Sequence, residues 1–135
     1  MALRHDPTTY ASGGSGEMND CAVRALATAA CVDYEIAHET CERHGRKIGQ
    51  GMLCSALWDA IEELSPGAQF VNLTQRVGNR KGVSRMTVKK FVEAWPSGHF
   101  VIFVADHFFA VYDGVVHNWD SAERKRVKYF WRLCR

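Results

Sequence analysis

The stretch His107-Phe108-Phe109-Ala110-Val111-Tyr112-Asp113-Gly114-Val115-Val116-His117-Asn118-Trp119-Asp120 decides the fold. Two stretches that read as strands, Phe108 to Tyr112 and Val115 to Asp120, flank the dipeptide Asp113-Gly114, the residue pair that suits a two-residue type I′ turn. The expectation is an antiparallel hairpin whose register can be counted outward from the turn. Tyr112 then faces Val115, Val111 faces Val116, Ala110 faces His117, Phe109 faces Asn118, Phe108 faces Trp119 and His107 faces Asp120. Opposed residues share a face with their Cβ atoms about 5 Å apart, so this register sets a carboxylate against His107. Asn118, two residues back, shares that face as well.

Upstream, Phe100 to Ala105 is a continuous apolar run, the pattern of a strand covered on both faces. Val127 to Leu133 predicts a further strand downstream, and Gln69 to Leu73 a short one earlier in the chain. The rest reads as helix. Asn19 or Asp20 can cap a helix running to Cys31, and Asp33 a second from Tyr34 to His44 that Gly45 stops. From about Met52 to Leu64 apolar residues recur every three or four positions, and Met86 to Trp95 predicts a fourth helix. Helices first and an antiparallel sheet last make the fold class α+β. The chain divides into a Gly-rich N-terminal segment, 1–18, with Gly13-Gly14-Ser15-Gly16 at its end, and one domain over 19–135.

The totals agree with a compact globular chain of 135 residues, 47% hydrophobic and 24% charged. A formal net charge of +2 does not by itself call for a nucleic-acid or membrane partner. No apolar run approaches the ~20 residues of a membrane span, and the N-terminus lacks the pattern of a signal peptide. Five cysteines at irregular spacing suit reduced thiols in a cytoplasmic setting. His38, Cys41 and His44 recur every three residues, but steps of three turn His38 and His44 about 120° apart, so a zinc site is not expected. The basic residues around Arg76 to Lys90 and Arg124 to Lys128 lack the interleaved aromatics of a nucleic-acid face, and no nucleic-acid partner is expected.

Cys21 opens the first helix, where unpaired N–H groups and the helix dipole favour a thiolate. Taken alone, a cysteine in an Ala-rich helix is a small hydrophobe. With His107 as base and Asp120 or Asn118 as its orienter, the same cysteine becomes a nucleophile. Arg46-Lys47, in the glycine-punctuated loop 45–51, could dock an acidic group beside the thiol, and Trp119 could wall the cleft.

Three stretches carry a resemblance: Asn-Asp-Cys-Ala-Val-Arg-Ala-Leu-Ala (19–27), Gly-Arg-Lys-Ile-Gly-Gln-Gly (45–51) and Trp95 to Asp120. Together they resemble papain-like cysteine peptidases, and more narrowly the small C39-like proteins of bacteriophages and prophages. The resemblance implies a papain-like fold and a thiol hydrolase that cleaves a peptide or isopeptide bond, or a related deamidase or acyltransferase. Cys21 would be the nucleophile, His107 the base, and Asp120 or Asn118 the third member. No cofactor is required, and the partner would be a protein or peptide, in a host cytoplasm if phage-encoded. One position departs from the family pattern: no Gln precedes Cys21. The oxyanion donors would then be the Cys21 backbone N–H with Asn19 or an amide of the Gly13–Gly16 loop. The alternative is a non-catalytic module of the same fold that binds or inhibits a host protein.

Overall fold

The computed structural model describes residues 4, 6, 19–74, 82, 84–105, 107–118 and 120–133. The Gly13–Gly16 loop, the loop residues 75–81, Trp119 and Cys134 lie outside the described residues. Element order is α1 (Cys21–Ala30), α2 (Tyr34–Arg43), α3 (Cys54–Leu64), β1 (Gln69–Asn72), α4 (Val88–Ala94), β2 (His99–Val104), β3 (His107–Tyr112), β4 (Val115–His117) and β5 (Tyr129–Leu133). The class is α+β, and the five strands form one antiparallel sheet in the order β1-β5-β2-β3-β4.

Alternation along the strands sorts the core into two halves. Val101, Phe108, Ala110, Trp131 and Leu133 pack under the first three helices with Leu26, Leu57 and Ile61. Phe100, Ile102, Phe109, Val111 and Phe130 face the other way, onto Val88 and Phe91 of α4. The sheet is therefore a middle layer, which is why β2 is written as an unbroken apolar run. Phe91 meets Phe100 and Phe130 edge-on at 4.9 Å, closing the second half.

Turn chemistry fixes the hairpin. Asp113 and Gly114 have φ of 46° and 79°, the pair of positive values that a type I′ turn demands. Asp113 is held from outside: its carboxylate accepts from the Gly98 N–H at 2.8 Å, and its own N–H donates to the Gly98 carbonyl at 2.8 Å. The resulting ladder pairs Tyr112 with Val115, Val111 with Val116 and Ala110 with His117. There it ends. The strand expected to reach Asp120 stops at His117, so the expected pairs of Phe109 with Asn118 and of His107 with Asp120 are not part of the ladder, and the third, of Phe108 with Trp119, falls outside the described residues.

Other boundaries shift by a residue or two. The helix expected from Met52 begins at Cys54, and the one expected from Met86 begins at Val88 behind Thr87, whose hydroxyl accepts from the Lys90 N–H. The strand expected from Val127 begins at Tyr129, because Val127 donates to Met86 instead of joining the ladder. Beyond β4, Val116 donates to the Arg4 carbonyl at 2.9 Å and accepts from the Asp6 N–H at 2.8 Å. That is the bond pattern of a parallel neighbour, so residues 4 and 6 run alongside β4 in its own direction.

Candidate active site

Cys21 occupies the first turn of α1, which packs against β3. Its sulfur lies near the backbone N–H groups of Phe108, Ala22 and its own residue, whose dipoles favour the thiolate. The Phe108 N–H belongs to the peptide that joins it to His107, so the thiol and the imidazole share one end of β3. They reach that end from different sides. Phe108 points toward α1, whereas His107 lies on the face of Phe109, its ring 5.9 Å from that ring. His107 is the first residue of its strand, where the two faces of the sheet meet.

The imidazole is oriented by a two-step relay. His107 Nε2 donates to Asn118 Oδ1 at 2.8 Å, which leaves Nδ1 as the proton-accepting nitrogen of the neutral ring. Asn118 is buried, and its Nδ2 donates to Asp120 Oδ1 at 3.3 Å, so the carboxylate fixes which way the amide faces. Asp120 also accepts the Ala122 N–H at 2.9 Å in a local turn. The register counted from the turn set Asp120 across from His107. Because the ladder ends at His117, the chain bends and Asn118 takes the direct contact, with Asp120 behind it.

Electrostatics here oppose the expectation of a thiolate. Burial pushes the Cys21 thiol above the ordinary cysteine range, and the three N–H groups that pull the other way do not offset it. The nearby Asp20 carboxylate adds to the rise. Burial likewise holds His107 below the ordinary imidazole range, against the upward pull of Asn118 and Asp120. The resting pair is thiol and neutral imidazole.

Asp20 holds the N-cap position without a side-chain cap bond. Its buried carboxylate instead receives Arg24 Nε at 3.0 Å and the Tyr34 hydroxyl at 2.8 Å, tying α1 to α2. Asn19 sits at φ 60°, and its Nδ2 donates to the Gly49 carbonyl at 3.0 Å. Expected as an oxyanion donor, Asn19 thus commits an amide N–H to the 45–51 loop. Arg46, expected to meet substrate, is buried and donates to the Asn19 carbonyl at 3.4 Å, bracing the residues before Cys21. Lys47 remains exposed. Trp119, offered as a cleft wall, lies outside the described residues.

Sequence reasoning missed the Phe108 amide. A backbone N–H carries no signature in the side-chain alphabet; only the packing of α1 on β3 brings it to the sulfur. Among the described residues no three His, Cys, Asp or Glu side chains gather as a metal site. His38 lies 3.8 Å from Glu42, and His44 lies 3.1 Å from Glu63. No helix among the described residues is long and apolar enough to cross a membrane. No protein-family model, curated protein or solved structure matches this chain.

Proposed function

We propose that this chain is a papain-like thiol hydrolase that cleaves a peptide or isopeptide bond, with Cys21 as nucleophile and His107 as general base. One observation carries the reading: the Cys21 sulfur lies at the peptide joining His107 to Phe108, while His107 is oriented through Asn118 by Asp120. His107 Nδ1 accepts the thiol proton as Sγ attacks the carbonyl carbon. The carbonyl oxygen gains the negative charge, and backbone N–H groups around the sulfur are the donors at hand for it. Collapse expels the amine, which takes the proton back from His107, and leaves a thioester. Water then adds with His107 again as base, releasing the acid and restoring the thiol. A neutral starting pair makes proton removal part of the attack rather than a step completed before it. Deamidation and acyl transfer would use the same residues with another leaving group or acceptor.

A second reading, a binding module without catalysis, is favoured by the raised thiol. A peptide bearing an acyl-type electrophile separates the two. Cys21 labelling should slow by about 10²-fold or more in His107→Ala, the scale of a lost general base. Exposed Cys31 serves as internal control, its rate unchanged. If the electrophile labels Cys31 while Cys21 stays untouched in the unaltered chain, the hydrolase reading is overturned.

A further inference from the structure

Beside the Cys21 end of α1, the chain between α2 and α3 folds around an open groove of about 620 Å³. Lys47, Gln50, Met52, Leu53 and Ala56 line it, with Arg46 at its base. Its charged lining residues are cationic; no carboxylate lines it among the described residues, and the nearby His44 is turned to Glu63. Leu53 and Ile48, the latter in the same loop, are 76% and 72% exposed, the highest of any large apolar side chains described. The exposed Lys47 thus lies beside exposed aliphatic surface.

The groove is tied to the nucleophile. Asn19 bonds to Gly49, and Arg46 bonds to Asn19, two residues before Cys21. Two residues span at most about 7 Å of chain, so the loop that walls the groove is anchored to the segment that leads directly into Cys21. Gly51 points to an extended backbone as the occupant. Gly51 has no positive φ, and a Cβ built on it would meet nothing within 4 Å. Neither backbone conformation nor packing within the fold requires glycine there. What the missing side chain leaves is bare backbone facing the groove, open to another chain at close range.

We propose that this groove binds an extended peptide segment in which an acidic residue is flanked by aliphatic ones, and that it selects such segments as substrate. The carboxylate pairs with Lys47, the aliphatic side chains cover Met52, Leu53 and Ile48, and the peptide backbone lies along Gly51. The role as substrate cleft rests on the thiol-hydrolase reading; the binding itself does not.

The test uses the full chain carrying Cys21→Ala, so that nothing is turned over, and fluorescence anisotropy of a labelled Leu-Glu-Ile-containing peptide. Its counterpart with Lys in place of Glu should bind about tenfold more weakly, and Lys47→Glu should reverse the preference, as exchanged charges do at a recognition surface. Gly51→Ala should weaken binding severalfold while leaving the thermal midpoint unchanged. Equal affinity for the two peptides, an unaltered preference in Lys47→Glu, or tighter capture of anionic vesicles or an oligonucleotide than of the acidic peptide would overturn the proposal. Labelling of Cys21 reports separately on the chemistry. A reactive Cys21 with no acidic preference removes the groove assignment alone, and an inert Cys21 with the preference intact removes the hydrolase alone.

Discussion

At the scale of single residues, the helix start and the burial of Cys21 pull its proton in opposite directions, and burial prevails. Asp20 contributes to the outcome, because its carboxylate opposes a second negative charge nearby. Asp20→Asn should therefore move the pH dependence of Cys21 alkylation to lower pH, read as the midpoint of the rate against pH for that thiol. The same substitution leaves Arg24 without its carboxylate in a nearly buried place. It should cost stability of about 3 kcal/mol, the scale of breaking a buried ion pair. The sequence displayed Cys21, His107, Asn118 and Asp120, since side-chain chemistry is visible in letters. It did not display the Phe108 N–H, nor the tasks of Asn19 and Arg46, because a polar side chain near a site serves either substrate or scaffold. Only the partner decides which, and here Asn19 bonds to Gly49 and Arg46 to the Asn19 carbonyl, each joining the segment before Cys21 to the 45–51 loop.

Among the elements, the β3–β4 hairpin has the largest consequence. Its turn was legible because Asp-Gly is one of the few pairs that meet the two positive φ values of a type I′ turn, and with it came the first three pairs of the ladder. The end of the ladder was not legible. Whether a strand continues past His117 depends on what Asn118 can bond to, and that is a tertiary question. Gly114 tests the coupling of turn to site. At φ 79°, with a Cβ position 3.2 Å from the Pro96 carbonyl oxygen, Gly114→Ala meets backbone strain and a tight contact that the Pro96 backbone must give way to. It should cost about 1–2 kcal/mol, which lowers the thermal midpoint by several degrees. If the hairpin sets the relay, calorimetry will show that loss, and the His107 imidazole resonances will shift in the same variant.

For the whole molecule, proton linkage gives a direction. His107 and His117 are both held below the ordinary imidazole value of about 6.5 by burial, in the second case against the pull of Asp6. In acid the unfolded chain therefore binds protons that the folded chain refuses. Their contribution to stability is present above about pH 6.5 and is lost as pH falls through the lower folded values. Thermal midpoints should decline from pH 7.5 toward pH 5, and the decline should be shallower in His117→Gln. The α+β class followed from periodicity, and the unbroken apolar run of β2 announced a strand covered on both faces, as it is between the two halves of the core. Which helices cover which face did not follow, since an apolar helix face shows that it is buried but not against which side of the sheet.

The parallel course of residues 4 and 6 along β4 has a practical side. Val116 binds them so that the chain enters beside the turn, where Arg4 reaches the Asp113 carbonyl. Leu133 pairs with His99, which pairs with Tyr112, so β5 leaves at that same end. His107 stands five residues away along β3, about 17 Å at the rise of an extended strand. A tether attached ahead of residue 4 or after residue 133 thus holds the molecule by its back. Held on a bead or carrier at residue 4 or residue 133, it presents the Cys21 end outward to whatever passes.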